Sequence, residues 1–169
     1  MAREIALRQL SVGPRTRAQL AEAMGRRGVA EDVVERVLDR FEEVQLVDDA
    51  QFARQWVESR HAGRGLARRA LSHELRRRGV DDDVLRDAVD VIGDEQELEA
   101  ARELVRRRWP SMRGDDPARR VRRLAGMLAR KGYGAGTAHR AIREVAGEQA
   151  MALTDPLGDL DGTWASDPE

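Results

Sequence analysis

Apolar residues recur along this chain in one frame that occurs three times. It reads Leu20-x3-Met24-x3-Gly28-Val29-x4-Val34-x3-Leu38, then Leu71-x3-Leu75-x3-Gly79-Val80-x4-Leu85-x3-Val89, then Leu124-x3-Leu128-x3-Gly132-Tyr133-x4-Ala138-x3-Ile142. Spacings of four put the apolar residues on one helical face before each glycine and again after it, so the frame predicts helix, turn and helix. The glycines lie 51 and 53 residues apart, and a match at every framed position over such a period marks a tandem array. Arrays of this kind present a large surface for their mass and grip other macromolecules more often than they enclose a small substrate.

The polar positions supply starts and stops. Thr16-x-x-Gln19 forms a capping box after the break at Gly13-Pro14, where hydroxyl and amide satisfy free N–H groups of the first turn. Each framed glycine follows cations (Arg26-Arg27, Arg76-Arg77-Arg78, Arg130-Lys131); glycine suits a left-handed helix end and cations oppose the negative pole there. Acids open the following helix at Glu31-Asp32 and at Asp81 to Asp83, whereas the third repeat has Gly134-Ala135-Gly136-Thr137. Asp48-Asp49 precedes Phe52-Ala53-x-x-Trp56-Val57, and Asp94-x-x-Glu97 precedes the stripe Leu98, Ala101, Val105, Trp109, which adds an opening helix to the second and third repeats as Ile5-x-Leu7-x-x-Leu10 does to the first. Asp116-Pro117 caps the helix carrying Val121, Leu124, Ala125 and Leu128. Phe52 and Trp56 are assigned to the core between helices. The prediction is all-α: an elongated, helix-turn-helix-like tandem array of nine helices in three-helix repeats at 1–49, 50–99 and 100–146. An acidic tail, 147–169, has only isolated Leu157, Leu160 and Trp164, too little apolar surface to offset ordering, and disorder is expected there.

Composition narrows the function classes. The chain has no cysteine, which excludes disulfides and thiolate metal sites, and no apolar run long enough to span a membrane. It begins directly in an amphipathic helix, and a cytoplasmic protein with no membrane association is expected. The net charge of −1 hides its distribution: 8 basic and 10 acidic residues in 1–50, 9 and 11 in 51–99, 13 and 4 in 100–146, and 0 and 6 in 147–169. The third repeat is therefore basic by +9 and the tail acidic by −6. His61, His73 and His139 fall in separate repeats without metal-ligand spacing. The Gly132-Tyr133-Gly134-Ala135-Gly136-Thr137 turn follows no predicted strand and lacks the Gly-Lys-Ser/Thr ending of a phosphate loop. No catalytic constellation, cofactor site or metal site is expected.

The basic residues carry the functional signal. Arg60, Arg64, Arg68, Arg69, Arg76, Arg77 and Arg78 in the second repeat, with Arg119, Arg120, Arg122, Arg123, Arg130 and Lys131 in the third, are the candidate contacts to phosphates or to an acidic protein surface. Two functions fit. Repeat one resembles a helix-turn-helix DNA reader, yet its third helix carries Glu31, Asp32, Glu35, Asp39, Glu42 and Glu43 against Arg36 and Arg40, and phosphate repulsion opposes docking. The other function is a helical-repeat modulator of a protein polymer, a nucleoprotein complex or both.

The run Leu46-Val47-Asp48-Asp49-Ala50-Gln51-Phe52-Ala53-Arg54-Gln55-Trp56-Val57, continuing through Arg60, Gly65 and Leu71-x-x-x-Leu75-x-x-x-Gly79-Val80, resembles the signature of the RecX regulatory proteins of bacteria. Repeat one agrees through Ala6-Leu7-x-x-Leu10 and Arg15-Thr16-x-x-x-Leu20-x-x-x-Met24-x-x-x-Gly28-Val29, while repeat three departs at Tyr133 and its glycine-rich turn. The resemblance covers about residues 3 to 146. It implies a non-enzymatic, cytoplasmic regulator that lies in the groove of the RecA filament on single-stranded DNA; a monomer is expected, with a weak dimer through open-ended repeats as the alternative. Such a protein lowers ATP hydrolysis, strand exchange and the coprotease activity that triggers the SOS response. It also implies single- or double-stranded DNA as a further partner, which the basic third repeat would permit.

Overall fold

The structure, a computed structural model, describes the backbone of residues 1–154 and side chains through Met151. Nine α-helices are present among the described residues and no strand: α1 Ala2–Val12, α2 Arg17–Gly25, α3 Glu31–Glu43, α4 Asp49–Arg64, α5 Arg68–Arg77, α6 Asp82–Val89, α7 Asp94–Arg108, α8 Pro117–Arg130 and α9 Ala135–Thr154. A single 3₁₀ turn, Trp109–Met112, follows α7. No helix among the described residues is long and apolar enough to cross a membrane.

Every apolar position of the threefold frame is buried except Val29, which is half-buried against the first cluster. Leu20, Met24, Leu38, Leu71, Leu75, Leu124 and Leu128 are wholly shielded, and Val34, Leu85, Val89, Ala138 and Ile142 nearly so. The chain divides into two compact units, one of residues 1–97 with the turn 130–133, the other of 98–129 and 134 onward. The first unit holds two clusters. One joins Ala6, Leu20, Met24, Val34, Leu38, Phe41 and Val47 of α1 to α3 and the segment after it. The other joins Phe52, Ala53, Val57, Leu71, Leu75, Leu85, Val89 and Ile92 of α4 to α6 and their flanks. In the second unit Leu98, Ala101, Val105, Trp109, Met112, Leu124, Leu128, Ala141 and Val145 are buried.

Caps form where the sequence placed them. Thr16 and Gln19 complete a reciprocal capping box on α2. Asp48 accepts from the Gln51 amide, Asp81 from Asp83 and Asp116 from Arg119. Asp94 and Glu97 do not cap their own helix, whose first turn is closed by the Gly93 carbonyl accepting from the Glu97 amide; both carboxylates reach Arg68 instead. Gly28, Gly79 and Gly132 take φ of 74°, 76° and 90°, the left-handed region that penalises a Cβ.

The second and third of these glycines have an additional reason. A Cβ on Gly79 would collide with that of Ala18 at the start of α2, and one on Gly132 would lie 2.6 Å from the Cβ and backbone nitrogen of Ala70 at the start of α5. A Cβ on Gly28 meets nothing within 4 Å. The turn of a repeat is thus seated on the start of the second helix of the repeat before it.

The tail departs from expectation. Helix α9 continues to Thr154, so residues 147–154 are helical rather than part of a disordered segment. Glu148 explains the extension: its carboxylate accepts from Arg106 Nε and Nη2 of α7 at 3.0 and 2.9 Å, a charged contact that composition alone does not show. The rest of the predicted tail, 155–169, lies outside the described residues.

The glycine geometry separates two substitutions of the same kind. Gly28→Ala is expected to lower stability by about 1 kcal/mol through its left-handed backbone. Gly79→Ala should lower it by about 2–4 kcal/mol, since the collision adds an overpacking term. Urea unfolding of the two variants checks this, and equal losses would remove the seat on Ala18 from the account.

Candidate macromolecule-binding surface

Thirteen cations nominated by the sequence fall into three groups once their partners are located. The first group is built into the fold. Arg68 is the first residue of α5, and its backbone N–H donates to Glu97 Oε1 at 2.8 Å while its Nη2 reaches Glu97 Oε2 at 3.0 Å and Asp94. Glu97 is buried. Arg60 and Arg78 lie 4.2 and 3.8 Å from the Trp56 ring centroid. Arg120 lies 4.8 Å from that of Trp109 and donates to the carbonyls of Met112, Arg113 and Asp115. Lys131 Nζ donates to the Arg64 carbonyl at 2.6 Å, at the last turn of α4, where a cation meets the negative helix pole.

The second group sits in exposed or half-exposed ion pairs. Arg76 pairs with Asp82, while Arg119 and Arg123 both meet Asp115. Surface pairs of this sort contribute about 0–1 kcal/mol, and a partner's anion can replace them at little loss. The third group is free: Arg64, Arg69, Arg77, Arg122 and Arg130 are exposed, and their side chains have no ion-pair partner among the described residues. Within the first unit this leaves Arg69 and Arg77 on α5, Arg64 at the end of α4 and Arg130 before the third turn; within the second, Arg122 on α8.

A recurrent arginine went unread in the sequence. Arg17 and Arg68 each stand 11 residues before a framed glycine and each opens the second helix of its repeat. The Arg17 amide donates to Asp49 Oδ1 at 2.8 Å, as the Arg68 amide does to Glu97. The Arg17 guanidinium gathers Glu35, Asp39 and Glu42 from α3. Much of the acidic face that argues against a DNA-reading α3 is therefore engaged in holding α2. The signal was the position of arginine relative to the frame; the third copy has Val121 there.

Aromatic placement differs in part from expectation. Phe52 is buried, but Trp56 is half-buried, stacked on Phe52 at 5.7 Å and donating from Nε1 to Glu74 Oε2 at 2.8 Å. Its indole N–H needs an acceptor, which keeps that edge near a polar rim. Tyr133, where the third frame departs from valine, is buried and donates from Oη to the Gly65 carbonyl at 2.9 Å. Burial, with the nearby Glu97 charge, pushes its phenol up to about 12.

No group of three potential metal ligands comes together among the described residues. The site is a charged surface on a helical scaffold, suited to polyanions or acidic protein faces.

Comparison with known proteins agrees with this architecture. Family models match three successive segments: the first three-helix domain of RecX at residues 2–41, the second at 48–89 and the third at 94–142. A regulatory protein RecX of Thermobifida fusca is 61% identical over 143 residues, covering 85% of this chain and 77% of its own length. One from Streptomyces coelicolor is 54% identical over 158 residues, covering 94% and 84%. The crystal structure of RecX from Lactobacillus salivarius superposes with a TM-score of 0.78 at 19% identity, over 86% of this chain and 94% of that one, a likeness of fold.

Two predictions follow from the internal contacts. Arg68→Gln removes the cation from the buried Glu97, leaving it the backbone N–H alone, and should lower stability by about 2 kcal/mol, whereas Arg69→Gln, one residue on and free, should stay within about 0.5 kcal/mol of the parent; chemical unfolding compares them. Tyr133 is the single tyrosine, so ultraviolet phenolate absorbance reports it alone. Its pKa is raised in the fold, so the stabilisation is complete below 10.0, the ordinary value, and is lost as pH rises through about 12. Titration at the ordinary value in the native protein would contradict the burial of the hydroxyl.

Proposed function

The chain belongs to the RecX family of regulatory proteins, and from that premise we propose that it binds the RecA filament on single-stranded DNA and restrains it. The protein acts in the cytoplasm, as a monomer and without catalysis of its own. It lowers RecA ATP hydrolysis, strand exchange and coprotease activity, and so tempers recombination and the SOS response. The observation that carries this reading is the division of the arginines. Part of the nominated set is consumed in holding the fold, and Arg64, Arg69, Arg77, Arg122 and Arg130 remain with charge to offer. These five meet carboxylates of RecA or phosphates of the enclosed strand, with Arg76, Arg119 and Arg123 able to exchange their surface partners. DNA alone is a secondary partner, contacted through the same charges.

Direct duplex reading by α3 is disfavoured, because that helix carries six acids against Arg36 and Arg40 and the single charge of Arg17 offsets only part of them.

The deciding experiment is the rate of ATP hydrolysis by RecA on single-stranded DNA, titrated with this protein at substoichiometric amounts. Hydrolysis is expected to fall well below one protein per RecA, with weak binding to bare DNA. The triple variant Arg69→Glu, Arg77→Glu, Arg122→Glu should lose at least tenfold in inhibitory potency while its helicity is unchanged. Undiminished inhibition by that variant would place the contact elsewhere. Unaffected hydrolysis together with tight duplex binding would replace the filament reading by direct action on DNA.

A further inference from the structure

Where the α1–α2 link meets the end of α5, three guanidinium groups converge with too little negative charge among them. Thr16 Oγ1 donates to the Arg78 carbonyl at 2.6 Å, and Gly79 lies against Ala18. This seat brings Arg15, the residue before Thr16, close to Arg78. Arg60 and Arg78 lie 4.2 and 3.8 Å from the centroid of Trp56.

The local acid is Glu74, and it is already engaged: it accepts from Trp56 Nε1 at 2.8 Å and stands 4.0 Å from Arg60 Nε. Arg15 and Arg78 have no ion-pair partner among the described residues, and the Nε atom of each is buried without a hydrogen-bond partner. The Arg78 guanidinium is held below its ordinary pKa by burial, with Glu74 opposing and the charges of Arg60, Arg15 and Arg77 adding to the effect. The indole face contributes about 0.5–2 kcal/mol to a cation, but offers no lone pair to an N–H. Like charges brought together with buried donors unsatisfied are unfavourable unless an anion completes the group.

We propose that Arg78, with Arg60 beside Trp56 and Arg15 beyond the seat of Thr16 on the Arg78 carbonyl, forms a binding site in the first unit for a phosphoryl oxyanion. Guanidinium forks present paired donors at the spacing of phosphoryl oxygens, and three of them against one engaged carboxylate match a multiply charged oxyanion better than a single carboxylate. The ligand is a phosphoryl group, whether on a free phosphorylated molecule or in a nucleic-acid backbone. The site is independent of the filament reading, since it needs no RecA to form. Occupancy would also brace the seat of Gly79 on α2, because the same anion would hold a residue on each side of it.

Equilibrium dialysis of the full chain against labelled inorganic pyrophosphate, at constant ionic strength set with chloride, tests the site. Saturable binding is expected, about tenfold weaker in Arg15→Gln and unchanged in Arg36→Gln, an exposed arginine of α3 paired with Asp32. Arg15 lies outside the helices, so this variant preserves the helical scaffold, and thermal unfolding in chloride verifies that it folds. A parallel thermal scan should show pyrophosphate raising Tm in the parent and not in Arg15→Gln. Competition with an oligothymidylate identifies the source: displacement of pyrophosphate assigns a nucleic-acid backbone, and no displacement assigns a free phosphorylated molecule, both upholding the site. No saturable binding, or equal loss in Arg15→Gln and Arg36→Gln, would overturn it whatever the outcome with RecA.

Discussion

The first unit depends on backbone amides that find no acceptor in their own group of helices, α1 to α3 for Arg17 and α4 to α6 for Arg68. The N–H of Arg17, and that of Arg68 at the equivalent place, needs an acceptor because the opening turn of a helix has none within it. The acceptor is a carboxylate in the first turn of the helix that follows that group, Asp49 of α4 in one case and Glu97 of α7 in the other. Buried polar groups left unpaired destabilise by about 1–3 kcal/mol, so neither helix is complete until its successor is in place. The guanidinium of the same residue then draws in further acids, Glu35, Asp39 and Glu42 for Arg17, Asp94 and Glu97 for Arg68. One side chain position therefore supplies both a cap and a junction.

The glycine turns work alongside this contact. Gly79 and Gly132 let backbone approach Ala18 and Ala70 more closely than any other residue would allow. Around the third turn the Ala67 amide donates to the Lys131 carbonyl at 2.9 Å, Lys131 Nζ reaches the end of α4, and Tyr133 closes on Gly65. Nearly every residue of this turn is spoken for, which accounts for Lys131 being engaged internally while Arg130 beside it is free. Charge count alone treats the two alike; the register of the turn does not.

The helical fold was legible because its signals are local. Periodic leucines, the Thr16–Gln19 box and the acids before α4 and α6 each act within a few residues, and each was placed correctly. The candidate surface was less legible because the fate of an arginine is decided across the fold. Arg68 and Arg69 are neighbours in sequence with opposite roles, and the difference is a carboxylate at Glu97, 29 residues away. Arg120 was counted as surface charge, although three carbonyls and the Trp109 ring hold it. Helix α9 outran its expected end because Glu148 finds Arg106, 42 residues earlier. Arg15 entered the sequence reading only as part of the repeat-one resemblance, since what distinguishes it is that it has no ion-pair partner among the described residues.

The separation of these partners along the chain bears on how the protein is made. The contacts that complete α2 and α5 span 32 and 29 residues, and those that seat the turns span 62 and 68. A chain emerging from the ribosome N-terminus first thus holds the Arg17 amide of α2 unpaired until Asp49 has appeared, and the Arg68 amide of α5 until Glu97 has. Its first seat closes only when Arg78 is out, and its second only when Tyr133 is. Each joint is sealed from the C-terminal side, so order advances in steps of about one repeat, and a nascent chain halted between steps carries one raw helix end at its growing edge.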